Sequence, residues 1–349
     1  MAMPRSCRVV DSTLVGLAAF SLIAGLSAYA VFAGADFGGG VWELFSFGPR
    51  RAEQRVAIDR AMGPVWEANH VWIIFVIVVL FTAFPSGFAA ICIGLFGPLS
   101  LILLGIVLRG ASFVFRAHAE DQPELQRWFG YGFSVSSLIT PFALGASAGA
   151  IAAGALKPDG KGGWLPIPWS EFFQPFPVIT GLLAVCICAF LAATFLTAET
   201  VDPLREDFRR RAMIAGGGVA LFGTLGLILS VDTAPELSHE LLHGRALPLV
   251  VFGGVLAVAS FVITLTGAYR LARYVAVAFV LTVLWGWGAA QWPYIVTPFL
   301  TFQQAASSDA MLVVFLSCLA AGAVILVPSL YYLFRIFKGT RPETETDSA

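Results

Sequence analysis

Nine stretches of this chain are apolar for long enough to cross a hydrocarbon layer, and this pattern constrains the fold more than any other feature. They run over Leu14–Phe37, Pro64–Phe84, Phe88–Leu108, Phe133–Leu156, Phe176–Leu196, Met213–Val231, Leu247–Thr266, Tyr274–Ile295 and Met311–Phe334. A membrane core about 30 Å thick needs about 20 such residues per helix. In lipid only helices and closed barrels satisfy every backbone group, and continuous apolar runs of this length mean helices. Composition agrees: 58% of the residues are hydrophobic and 12% charged, against roughly 45–50% and 25% in a soluble domain. A soluble enzyme and a disordered chain are both excluded. The net charge of −1 supplies no basic field for nucleic acid. The expectation is an all-α polytopic membrane protein, with one transmembrane domain over 1–338 and a disordered polar tail over 339–349.

The first run resembles a secretory signal, with Arg5 and Arg8 ahead of it and Ala28-Tyr29-Ala30 inside it. Its apolar core exceeds the 7–15 residues of a signal segment, so it reads as an uncleaved first helix. Basic residues set the orientation, because cytoplasmic loops are enriched in Lys and Arg. With the N-terminus outside, 15 basic residues fall on the inner side and 5 on the outer side, with Arg109 at a membrane edge; these account for all 21. The reading is N-terminus out, nine spans, C-terminus in the cytoplasm.

Ionisable groups inside spans are costly and mark candidate sites. Asp36 stands in Gly34-Ala35-Asp36-Phe37-Gly38-Gly39-Gly40 near the inner end of the first span. Glu43 follows seven residues later, on nearly the same helical face. Glu67 opens the second span within Trp66-Glu67-Ala68-Asn69-His70-Val71-Trp72, and Arg109 closes the third. Three carboxylates and one arginine at the cytoplasmic end read as a proton-uptake path or a cation site. The alternative is structural: Asp36 bonds a backbone loosened by three glycines, and Arg109 neutralises it. Asp36 together with Glu67 favours function, while Glu43 reads as a solvated or headgroup-facing residue. His70, three residues after Glu67, shares its face and reads as a hydrogen-bonding partner.

Three further features carry less. His239-Glu240-Leu241-Leu242-His243 has the form of a zinc-protease motif. It sits in a short outer loop without a third ligand, and reads as an amphipathic loop helix. Gln291, beside Pro293 near the outer end of the eighth span, and the neighbouring Trp287 are either ordinary interface anchors or contacts to a lipid or quinone headgroup. The five cysteines lack a C-x-x-C spacing, which argues against structural zinc and leaves them as packing thiols. A secondary transporter or ion channel also uses intramembrane acids, but it is expected to show paired broken helices in two matching halves.

The segments Gly34–Gly40 (GADFGGG), Gly63–Trp72 (GPVWEANHVW), Leu108–Arg116 (LRGASFVFR) and Gly286–Pro293 (GWGAAQWP) resemble subunit II of the cytochrome bd-type quinol oxidases, including the cyanide-insensitive branch. The helix-opening GPVWEANHVW is the specific one. The resemblance implies a subunit of a bacterial cytoplasmic-membrane oxidase that takes electrons from quinol and reduces oxygen to water. Two b-type haems and one d-type haem are then expected on subunit I, with none bound by this chain. It also implies a heterodimer with subunit I, and allows a small accessory transmembrane subunit. The family's proton route falls here on Asp36 and Glu67, with Glu43 as a further candidate and with Arg109, Asn69, His70 and Trp66 in support. Some members carry aspartate at the Glu67 position, and some carry an acid where this chain has Ala33.

Overall fold

The computed structural model describes residues 10–62, 66–119 and 121–339. The side chains of Trp66 and Glu67 lie outside the described residues, as does the expected tail beyond Gly339.

In chain order the elements are α1 (Ser12–Leu44), α2 (Arg51–Met62), α3 (Trp66–Ala83), α4 (Pro85–Gly94), α5 (Phe96–His118), α6 (Pro123–Ala152), α7 (Trp169–Phe172), α8 (Pro175–Glu199), α9 (Leu204–Thr233), α10 (Pro235–Leu242), α11 (Leu247–Leu265), α12 (Tyr269–Gln291), β1 (Tyr294–Val296), β2 (Leu300–Thr301), α13 (Phe302–Ala305) and α14 (Asp309–Gly339). Among the described residues eight helices are long and apolar enough to cross a membrane: α1, α5, α6, α8, α9, α11, α12 and α14. The apolar parts of α3 and α4, residues 69–83 and 85–94, are shorter.

Several sequence boundaries shift. The expected third span, Phe88–Leu108, is interrupted at Leu95, and its second half continues as α5 to His118. Pro85 starts α4 at its first turn, where the missing N–H costs nothing. Arg109 therefore lies inside a helix and does not close one. The eighth span ends at Gln291 and not at Ile295, because Pro293 cannot continue the helix; a small antiparallel hairpin, β1–β2, follows. The loop expected over 232–246 contains α10.

Helix α1 is the hub, packed against α3, α6, α8 and α12. The glycines after Asp36 make this possible: a Cβ on Gly38 would fall on the Cys188 carbonyl of α8, and one on Gly40 would fall on Ser137 of α6. Trp42 then ties α1 to α8 by donating its indole N–H to the Ala189 carbonyl at 2.7 Å. Many buried serine and threonine hydroxyls bond a carbonyl of their own helix, as Ser137 does by donating to the Phe133 carbonyl at 2.7 Å. The N-terminal ends of α1 and α14 share one face, where the Asp11 amide donates to Asp309. At the opposite face the amphipathic α2 turns Gln54 and Ile58 inward. Arg50, just before α2, bonds Asp207 of α9, and Gln54 of α2 bonds both Asp207 and Arg211.

Candidate functional site

Two acids on α1 meet two arginines on α5. Asp36 and Glu43 are seven residues apart, as are Arg109 and Arg116. Seven residues return to almost the same helical face about 10.5 Å further along, so the two pairs form at matching heights.

The inner pair is enclosed. Asp36 is 4% exposed, and it accepts a hydrogen bond from the Asn69 amide of α3 at 2.6 Å. Arg109, 2% exposed, donates through Nη2 to the Asp36 carbonyl at 3.1 Å and through Nε to the Ser137 hydroxyl at 3.0 Å. Its guanidinium lies 5.2 Å from the Phe37 ring centroid and 4.7 Å from that of Phe133, which is cation–π range. The Tyr29 hydroxyl is buried beside this group and has no hydrogen-bond partner among the described residues. His70 packs edge-on against Tyr29 and Phe37. A buried carboxylate, an amide donor and a fully enclosed cation can together hold a negative charge in an apolar slab, or exchange a proton at the carboxylate.

The second pair lies nearer the end of the bundle, and it corrects the expectation for Glu43. That residue is neither solvated nor headgroup-facing; it is 2% exposed. Arg116 donates to Glu43 at 2.5 Å and to the half-exposed Asp59 of α2 at 2.6 Å, with Arg55 4.0 Å from Glu43. Helix α1 continues to Leu44 and α2 folds over its end, which is why the polar boundary lies further out than the sequence suggested. Glu43 Oε2 has no hydrogen-bond partner among the described residues. Asp59 therefore connects the buried acid to the surface through one arginine. In the sequence Arg55 enters only the charge count and Arg116 only that count and the end of the LRGASFVFR segment, neither with a site role, while Asp59 and Ser137 carry no signal of their own. The heptad spacing from Arg109 to Arg116 was the available signal.

Other candidates are placed apart. Gln291 is buried at the end of α12 and donates to the Thr297 hydroxyl, so its amide is occupied inside the fold. It borders a cavity of about 410 Å³ together with His239, Glu240 and Arg245. Trp287 lines a separate apolar groove of about 620 Å³. His239 and His243 lie exposed on and just after α10, and Glu240 is bound by Arg245 at 2.9 and 3.2 Å. These bonds hold the Glu240 carboxyl below its usual range, which suits a surface ion pair better than a general base. Among the described residues no group of three or more His, Cys, Asp or Glu could hold a metal ion. Nor does the donor set fit a haem: His118 bonds the Val114 carbonyl of its own helix, and His70 is wedged between aromatic rings.

Comparison with known proteins gives a consistent result. The sequence is 29% identical to cytochrome bd ubiquinol oxidase subunit 2 of Bacillus subtilis over 51% of this chain and 52% of that protein. It is likewise 29% identical to cytochrome bd-I ubiquinol oxidase subunit 2 of Escherichia coli over 54% of this chain and 50% of that one. The chain thus spans about half the length of these curated relatives. A longer match, 24% identical over 92% of this chain and 95% of the relative, is to a putative cytochrome bd menaquinol oxidase subunit II of Bacillus subtilis. The fold superposes on a chain of the bd oxidase structure from Geobacillus thermodenitrificans with a TM-score of 0.78 at 22% identity, covering 94% of this chain and 100% of that one. The profile of the cytochrome bd terminal oxidase subunit II family matches residues 14–337. Matched from its first apolar helix into its last, the chain belongs to the cytochrome bd terminal oxidase subunit II family.

Proposed function

We propose that this chain is the non-haem subunit of a membrane-bound quinol:oxygen oxidoreductase, scaffolding a haem-bearing subunit I and supplying part of the route by which protons reach the site of oxygen reduction. The observation that carries the reading is the Asp36–Asn69–Arg109 cluster: a carboxylate enclosed in an apolar bundle, hydrogen-bonded to the helix that also carries Glu67. Such groups are expensive within a membrane and mark candidate functional sites. The named relatives support the reaction, with a ubiquinol oxidase and a putative menaquinol oxidase both represented. The poor fit of the four histidines to a haem supports placing two b-type haems and one d-type haem on subunit I. A transporter reading would need paired broken helices; the interruption at Leu95 has no counterpart among the described spans.

The test is to purify the protein natively and record its visible spectrum and its quinol-driven oxygen consumption. Co-purified b- and d-type haem bands with oxidase activity are expected. A colourless single chain without oxidase activity would sink the proposal.

In this reading α3 is a ninth span, the N-terminus faces outward, and the arginine-rich end carrying α2 faces the cytoplasm of a bacterial cell. A reporter active only in the cytoplasm is expected to work when fused after Arg341 and to be silent within 157–163. The reverse pattern would place Asp36 and Glu67 on the wrong side for cytoplasmic proton uptake.

A further inference from the structure

The apolar groove lined by Trp287 lies between α9 and α11, whose facing surfaces are rich in glycine and leave about 620 Å³ open. It runs along α9 from Ala212 to Ser230, a rise of about 27 Å, nearly the thickness of the hydrocarbon layer. One end is lined by Leu237 and Leu241 of α10 and by Trp287. The other end is basic. Arg210 sits three and seven residues before Met213 and Gly217, which line the groove, and so lies on the same face of α9. Its side chain is 73% exposed and shares Glu206 with Arg209. Arg270, exposed, stands at the start of α12 just past the end of α11. The segments that meet at this end carry six arginines, Arg205, Arg209, Arg210, Arg211, Arg270 and Arg273, against four acids, Glu199, Asp202, Glu206 and Asp207, with Arg209 and Arg210 on one carboxylate.

We propose that this groove is a binding site for an anionic phospholipid, with an acyl chain between α9 and α11 and the phosphate at Arg210 and Arg270. Charge complementarity selects this occupant: an apolar channel ending at an excess of arginine matches a molecule with an apolar tail and an anionic head. Basic residues near a membrane surface each strengthen the hold on an anionic head. The proposal rests only on the chain lying in a membrane, and not on the oxidase reading.

The glycines provide the test. A Cβ at Gly217 or at Gly254 meets nothing within 4 Å, so a side chain at either position, both lining the groove, starts into open space. Natively purified protein, with every subunit that accompanies it, is examined by native mass spectrometry after graded detergent washing and readdition of phosphatidylglycerol or phosphatidylcholine. The unaltered protein is expected to retain phosphatidylglycerol in preference to phosphatidylcholine. Gly217→Leu with Gly254→Leu should lose it, while Gly16→Leu, equally open but on α1, should keep it. Arg210→Gln with Arg270→Gln should lower the preference for phosphatidylglycerol roughly tenfold or more. Equal retention of both lipids by the unaltered protein, or full retention in the double leucine variant, overturns the proposal. So does loss of an accompanying subunit from the double leucine variant, since the groove would then belong to that subunit. Oxidase activity is not a readout here, so failure of this test leaves the proposed function standing.

Discussion

Arg109→Leu is expected to abolish accumulation of the assembled protein in membranes. The guanidinium is enclosed by Phe37 and Phe133 and donates to the Asp36 carbonyl and the Ser137 hydroxyl. Leucine would leave these acceptors, and the Asp36 carboxylate beside them, without their cation in a region without water. Breaking a buried charge pair by removing one partner costs about 3–5 kcal/mol, a large share of the roughly 5–15 kcal/mol that holds a domain folded. Arg109→Lys keeps the charge, but one ammonium cannot reproduce donation from both Nε and Nη2 in a planar fork. It should assemble with a lowered melting temperature. Subunit abundance by immunoblot and thermal unfolding in detergent are the measurements. Normal abundance of Arg109→Leu at unchanged melting temperature would show that Asp36 is neutral or otherwise compensated.

The second large effect concerns turnover rather than assembly. Asp36→Asn keeps the size of the side chain and an oxygen for Asn69 to bond, but it cannot carry a proton. If protons for oxygen reduction pass this point, quinol-driven oxygen consumption should fall about 100-fold, the scale of a lost positioned proton-transfer group, with haem content unchanged. Glu67→Gln should behave alike, and the double variant should be little worse than either, because groups in series are not additive. Glu67→Asp should keep most activity. Oxygen consumption and proton uptake in proteoliposomes decide the matter: unaltered rates in Asp36→Asn would make Asp36 structural and move proton delivery elsewhere.

What could be read in the sequence followed the strength of each local signal. Long apolar runs announced the helices, because lipid leaves the backbone no alternative. The break at Leu95 is marked in the sequence by Gly94 before it and Gly97-Pro98 after it, breaker residues that the length of the apolar run outweighs in the reading. Glu43 was misjudged for a related reason: the apolar run thins at Leu44, but burial there comes from α2 folding back, and only tertiary contacts with Asp207, Arg211 and Arg116 hold α2 in place. Asp36 was found because a charge inside an apolar run stands out by itself. Its partner Asn69 enters only through the family resemblance, and Ser137, which accepts from Arg109, does not stand out at all, since a polar residue near a helix end or in a serine-rich stretch carries no such contrast. The glycine run after Asp36 was read as a loosened backbone. It is the reverse, a helical surface pared down so that α6 and α8 can approach.

The fastening of α2 has a bearing on the order in which the chain becomes itself. Arg50 and Gln54 leave the ribosome early, yet their partners Asp207 and Arg211 are separated from them by 157 residues or a comparable distance along the sequence. Through the synthesis of α3 to α8 this short amphipathic segment has no mate on α9. Only when the first turns of α9 emerge does the clasp shut, drawing the opening quarter of the protein onto its middle. The Arg116–Asp59 contact, available much sooner, can hold one end of α2 in the meantime, so the two fastenings form as an early latch and a late lock.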